Sequence, residues 1–101
     1  MLDARTALLQ ALIRGDSYGL ELIDRVGKLH RGKTRLSQAT IYPLLRTLET
    51  DGLVTSYDGD PMPERGGRPR RYYTLTAKGL RTARQEAAEI AGFLRPALEN
   101  R

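Results

Sequence analysis

Apolar residues recur at helical spacing through Leu8, Leu9, Leu12 and Ile13, with Ala4, Ala7 and Ala11 between them. This pattern predicts a first helix, with Asp3 able to cap its start and Gly15 ending it. A second stripe, Leu22, Ile23, Val26 and Leu29, predicts a second helix capped by Asp16 or Ser17 and fading near His30-Arg31-Gly32. A basic turn, residues 31–35, follows. Ile41, Leu44, Leu45 and Leu48 then mark a third helix at i, i+3, i+4 and i+7, closed by Asp51-Gly52 with Gly52 as the left-handed residue after the cap. Pro43 constrains how that helix begins. If Ser37 caps it, Pro43 falls in the interior and should bend it. If Thr40 caps it, Pro43 falls in the first turn, where no internal hydrogen bond is lost. Either way a distorted or late start is expected, leaving residues 37–40 open to a ligand.

Beyond Gly52 the period changes. Residues 53–57 read as a strand and residues 71–75 as a second, joined by a basic loop from Asp58 to Pro69 whose three Pro and three Gly argue against regular structure. The two strands form a hairpin with a long tip. Thr76 can cap a last helix carrying Leu80, Ala83, Ala87, Ile90, Leu94 and Ala97, whose steps of three and four make a heptad seam. Pro96 is expected to bend it near Gly92. Such a seam exceeds what a small core needs. It points to pairing with a second copy through Leu80, Ala83, Ala87, Ile90 and Leu94, the other reading being packing back on the first helix. The fold class is therefore mainly α with a small β-hairpin. It reads as a winged helix-turn-helix over residues 1–75 plus a long C-terminal dimerisation helix over 76–101, compact as one domain.

Composition narrows the function. A chain of 101 residues with 40% hydrophobic and 29% charged residues is globular and of one-domain size. It has no apolar run long enough for a membrane span and no secretory-type N-terminus, so a cytoplasmic protein without a membrane partner is expected. There is no cysteine for a disulfide or thiolate site. His30 is the single histidine, and no catalytic set can be assembled around it, so no enzyme, metal site or cofactor is expected. Asp58, Asp60 and Glu64 lack the spacing of a calcium loop.

The net charge is +5, from 17 Lys+Arg against 12 Asp+Glu. Its distribution says more than the total. Nine of the basic residues lie in two acid-free windows, residues 25–35 and 65–71, and the rest of the chain is acidic on balance. An acidic body with two basic segments is the electrostatic footprint of a polyanion binder.

Three helices followed by a basic hairpin suit duplex DNA. The start of a helix in the major groove offers small polar side chains to base edges. Here that end carries Ser37, Gln38 and Thr40, with Tyr42 and Arg46 about one turn on and away from the apolar stripe. Arg65, Arg68 and Arg70 of the hairpin would hold the flanking backbone or minor groove, where Arg is favoured. Lys33 and Arg35 of the turn would contact phosphates. Tyr72 and Tyr73 alternate, so one should face the core and the other solvent or DNA. Two other readings compete: a winged-helix protein–protein module without DNA binding, and a basic RNA-binding domain.

The residues also carry a family resemblance. Ser17-Tyr18-Gly19-Leu20-Glu21-Leu22, the run from Ala39 to Glu49, Asp51-Gly52-Leu53-Val54 and the run from Arg70 to Gly79 occur in the order and spacing of the PadR family of bacterial transcriptional regulators, which the chain resembles over about residues 5–80. The last helix is similar to that of the small subclass with a single such helix. The family often has Gly where Ala39 stands. The resemblance implies a homodimer joined mainly through the last helix with help from the first, a pseudo-palindromic operator, and a repressor released by a signal. Some relatives bind aromatic or drug-like effectors between protomers. Without Trp the stacking site of those relatives is not reproduced, and Phe93, the sole phenylalanine, could line such a cavity or simply pack.

Overall fold

The computed structural model describes residues 3–29 and 36–99. Helix α1 spans Ala4–Ile13, strand β1 Ser17–Tyr18, α2 Gly19–Leu29, α3 Gln38–Thr50, β2 Val54–Pro61, β3 Pro69–Leu75 and α4 Ala77–Glu99, with a short 3-10 turn at Pro63–Arg65. The three strands form one antiparallel sheet in the order β1-β3-β2. This is a winged helix-turn-helix followed by a long helix.

The helix signals in the sequence act locally as expected. Asp3 caps α1, its carboxylate accepting from the Thr6 amide at 2.8 Å. At the end of α3 the Leu53 amide donates to the Leu48 carbonyl and the Gly52 amide to that of Glu49, at 2.9 and 3.0 Å. Gly52 has φ 75 there, the left-handed conformation this double closure requires. Thr76 both starts α4, its hydroxyl accepting from the Gly79 amide at 3.0 Å, and ties that start to α3's end by donating to the Gly52 carbonyl at 2.7 Å. A Cβ on Gly79 would lie 1.9 Å from the Leu53 carbonyl oxygen, so only glycine lets α4 cross the turn this closely.

The core is built from α1, which buries Ala7, Leu8, Leu9, Ala11 and Leu12, together with Leu22 and Val26 of α2, Ile41, Leu45 and Leu48 of α3, and Leu53, Val54 and Tyr73 of the hairpin. Each fully buried Leu contributes about 1.5–3 kcal/mol, so these residues fix the angle at which α3 leaves the body. α4 crosses α1, where Gln10 donates to the Ala83 carbonyl at 2.8 Å and Arg5 pairs with Glu86 at 3.6 Å. It continues past Pro96 as a single helix.

Several expectations are corrected. Ser17 does not cap α2. It belongs to β1, pairs with Tyr73 across the sheet, and is fully buried with its hydroxyl donating to Glu21 at 2.6 Å. A two-residue strand has no period of its own and becomes visible only through its partner. The hairpin strands reach further than predicted, to the facing pair Pro61 and Pro69. Proline is tolerated at both places because β2 is an edge strand and Pro69 opens β3, and a register shift between Asp58 and Pro61 takes up one extra residue of β2 as a bulge. The tip is thus residues 62–68. α3 begins without delay at Gln38 despite Pro43. Ala83 is fully buried in the chain's own core against α1, because the seam turns that position inward, so it is unavailable to a second copy. Leu80, Ala87 and Ile90 stay half-buried. The side chains of Phe93 and Leu94 lie outside the described residues.

Candidate nucleic-acid interface

The interface is built from one end of α3 and the hairpin beside it. Ser37 caps α3, accepting from the Thr40 amide at 3.2 Å, and its hydroxyl also meets the Thr40 hydroxyl at 3.1 Å. Pro43 has no N–H to offer the Ala39 carbonyl four residues back. Gln38, Ala39 and Thr40 are all exposed, while Ile41, Leu45 and Leu48 face inward. The two hydroxyls therefore engage each other and the helix end, and Gln38 is the long polar side chain projecting from that tip.

One turn on, Tyr42 is 41% exposed and its ring lies against the start of α2. A Cβ on Gly19 would come within 2.5 Å of the Tyr42 hydroxyl, so this glycine creates the seat for the ring. Tyr42 lines two adjoining hollows. One is shared with Tyr18, Gly19, Leu20, Arg65, Pro69, Arg70 and Arg71. The other is shared with Arg46, Glu49, Arg71 and Tyr73. Side chains of α3 and of the hairpin thus meet in two hollows that share Tyr42 and Arg71.

The sheet positions the hairpin's arginines. Tyr18, Tyr72 and Tyr57 stand in one cross-strand row. Tyr72 meets Tyr18 edge-on at 5.6 Å and stacks on Tyr57 at 5.7 Å, both favourable aromatic geometries. Arg70 lies over Tyr18 with its guanidinium carbon 4.4 Å from the ring centre, a cation–π contact. The next row, Ser17, Tyr73 and Ser56, faces the helices. This settles the alternation: Tyr73 is the buried member, 6% exposed, and burial pushes its phenol pKa up despite nearby Arg71. At the outer row's edge the Tyr57 hydroxyl donates to Asp16 at 2.6 Å. Hydrogen bonds from Thr74 and then Tyr57 hold the Asp16 carboxyl below its ordinary range, and the same bond raises Tyr57.

Of the residues singled out in the sequence, Tyr42, Arg46, Arg65 and Arg70 are brought together. Ser37, Gln38 and Thr40 stand at the helix tip outside the two hollows. Arg68 is exposed at the hairpin tip, its Nε donating to the Arg65 carbonyl at 3.1 Å. Lys33, Arg35 and His30 lie outside the described residues. Sequence reasoning missed Arg71, Glu49 and Gly19. The alternation along β3 carried a signal for Arg71, which shares a face with Tyr73, whereas nothing local marked Glu49 or Gly19.

The first basic window is not a free cationic patch as far as it is described. Arg25 donates to the Gly15 carbonyl at 2.8 Å and pairs with Glu21 at 3.1 Å, closing the end of α1, and Lys28 pairs with Asp24 at 3.0 Å. Their acidic partners lie one turn earlier, just outside the acid-free window. In the second window no arginine forms an ion pair with a described residue.

The architecture defines a winged-helix regulator, and sequence comparison agrees. Residues 8–85 match the Transcriptional regulator PadR-like family. The chain belongs to that family, whose members are transcription regulators and not enzymes. It is 30% identical over 88 residues to Transcriptional regulator YqjI of Escherichia coli (strain K12), covering 87% of this chain and 39% of that one. The chain therefore spans about two fifths of the length of that curated relative. Among solved structures, a transcriptional regulator from Clostridium thermocellum superposes with a TM-score of 0.72 at 26% identity, covering 95% of this chain and 90% of the other. A PadR-like regulator from Bacillus cereus gives 0.71 at 25% identity, covering 95% and 87%. Bacillus subtilis PadR, solved in complex with operator DNA, shares the fold with a TM-score of 0.70 at 20% identity, covering 82% of this chain and 44% of that one. Among the described residues no helix is long and apolar enough to cross a membrane.

Proposed function

We propose that this chain is a homodimeric, sequence-specific duplex-DNA-binding regulator acting in the cytoplasm as a repressor that a signal or small ligand releases. The observation that carries the reading is the pair of hollows in which Tyr42 and Arg46 of α3 meet Arg65, Arg70 and Arg71 of the hairpin. The helix tip at Ser37, Gln38 and Thr40 enters the major groove. The hairpin's Arg65, Arg68 and Arg70 follow the flanking backbone, and Lys33 and Arg35 add phosphate contacts. The operator complex of Bacillus subtilis PadR supports this use of the fold. Two copies joined along α4 through Leu80, Ala87, Ile90 and Leu94 set two tips against successive turns of a pseudo-palindromic site, about 34 Å apart. A signal, such as an effector seated near Phe93, that alters the angle between protomers moves the tips off that spacing and frees the DNA. No metal or cofactor enters this reading.

The test is selection from a random duplex pool followed by titration with salt. One class of sequences should be enriched. With roughly eight phosphate contacts per dimer, log K should fall against log salt with a slope of about −7. No enrichment together with a flat salt dependence would refute duplex binding.

A further inference from the structure

A relay of hydrogen bonds crosses from the reading helix to Arg71 of the wing through two residues, Glu49 and Ser56, that have no part in the DNA contacts above. Arg71 donates through Nε to the Ser56 hydroxyl at 3.0 Å, and the Ser56 hydroxyl donates to Glu49 Oε2 at 3.1 Å. Ser56 has a single hydroxyl proton, so with Arg71 as donor on one side the polarity of the chain is fixed, and it terminates on the carboxylate. Glu49 sits on the last turn of α3, Ser56 on the edge strand β2 and Arg71 on the central strand β3. Glu49 and Arg71 also line the same hollow as Tyr42 and Arg46. A carboxylate facing a cleft meant for a polyanion is a cost unless it does something else there.

We propose that Glu49 and Ser56 are positioning residues that lock Arg71, and with it the wing, at one setting relative to the reading helix, and so convert phosphate contacts into sequence specificity. Backbone contacts carry no sequence information by themselves; they fix the register in which base-reading groups meet their partners. A wing tied to α3 by a charge-assisted relay offers phosphate contacts in one register only. With the relay cut, the wing grips any duplex nearly as well, but the helix tip no longer meets its bases at a fixed offset. This inference rests on the duplex-DNA reading above.

The experiment compares Glu49→Ala, Glu49→Gln, Ser56→Ala and the Glu49→Ala/Ser56→Ala double variant with wild type. The probes are the duplex that wild type enriches from a random pool and a scrambled duplex of equal composition. The ratio of the two affinities should fall about three- to tenfold for Glu49→Ala and for Ser56→Ala, the range a single intramolecular hydrogen bond commands. The double variant should lose no more than either single one, because both cut the same relay. Glu49→Gln keeps an acceptor for Ser56 and should hold the ratio near wild type. General loss of folded protein lowers both affinities equally and leaves the ratio unmoved, and Ser56→Ala, the gentler change, guards against a Glu49 variant that fails to fold. The proposal is overturned if both alanine variants keep the wild-type ratio, or if Glu49→Ala and Glu49→Gln alike only tighten both duplexes and steepen the salt slope, as removal of a repelling charge would. Absence of any enriched duplex with wild type would instead sink the DNA reading itself, and the relay's role with it.

Discussion

The guanidinium of Arg70 stands 4.4 Å above the ring of Tyr18, a contact between the central strand of the wing and the two-residue strand that leads into the helix-turn-helix. It restrains a long flexible cation before any ligand arrives, which lowers the entropy lost on binding. Arg70→Ala should therefore weaken every duplex and reduce the salt slope by about two per dimer, one phosphate contact being lost from each protomer. Tyr18→Leu leaves the charge in place. It should weaken binding about two- to fivefold, the range of an exposed cation–π contact, with the slope unchanged. Titrations at several salt concentrations separate the two effects, and a Tyr18→Leu protein that binds like wild type would count against preorganisation.

Gln38 and Arg68 should part company in the opposite way. Gln38 projects from the start of α3 while its neighbours Ser37 and Thr40 engage each other, and a Gln side chain can pair with adenine in the major groove. Gln38→Ala should cost about 1–3 kcal/mol on the preferred duplex and relax preference at one base position in each half-site. Arg68 sits at the wing tip, where Arg68→Ala should weaken preferred and scrambled duplexes alike. Repeating the pool selection with each variant checks this, and equal effects of both on scrambled DNA would refute the division.

The sequence was most legible where the signal is local. Asp3, Gly52 and Thr76 mark helix ends by hydrogen bonds that close within a few residues, so their roles follow from type and position. The order of elements, and with it the winged outline, followed from where the apolar period changes after Gly52. What was hidden depends on partners far along the chain. β1 exists because Ser17 and Tyr18 lie beside Tyr73 and Tyr72, and two residues carry no period. The wing's extra length came from Pro61 and Pro69 facing each other across a bulge, where proline counts against a strand only if its edge position is unknown. The candidate interface divides likewise. Arg65 and Arg70 stood out by charge density, but Arg25 and Lys28 stood out equally and are engaged by Glu21 and Asp24, because a helix brings acids one turn earlier onto the same face. Glu49 and Gly19 gain their roles from Ser56 and Tyr42, and no pattern in the chain joins those pairs.

The bond from Tyr57 to Asp16 gives the wing a pH signature. The folded pKa of Asp16 lies below its ordinary 3.8, chiefly through Thr74 and then Tyr57. Its contribution is full above the unfolded value and is lost as pH falls through the lower folded one. Tyr57 is raised above its ordinary 10.0 by the same bond. Its contribution is full below that value and is lost as pH rises through the folded one. Wild type should thus exceed Tyr57→Phe in urea midpoint between about pH 5 and pH 9, with the two converging at both extremes. Both groups are exposed, so the gap is small. Phenylalanine keeps the ring that stacks on Tyr72, so a gap that does not shrink at either extreme of pH would show that the Tyr57 hydroxyl stabilises by something other than its bond to the Asp16 carboxylate.

Ile90 bears on assembly. On the seam of α4, Ala83 is already consumed by α1, whereas Ile90, one heptad further on, remains half-buried with the helix running on past it to Glu99. An apolar stripe beyond the body is stabilised by a second stripe and is costly in water. A carboxylate there would have to be desolvated in a paired seam but sits comfortably on a solvated helix. Ile90→Asp should therefore yield monomers by light scattering while far-ultraviolet circular dichroism keeps its helical signal. Duplex binding should weaken by more than a hundredfold, because the gain from joining two half-sites is lost. An unchanged mass would mean that protomers meet elsewhere, and monomers that still hold the duplex at full strength would show that one copy suffices.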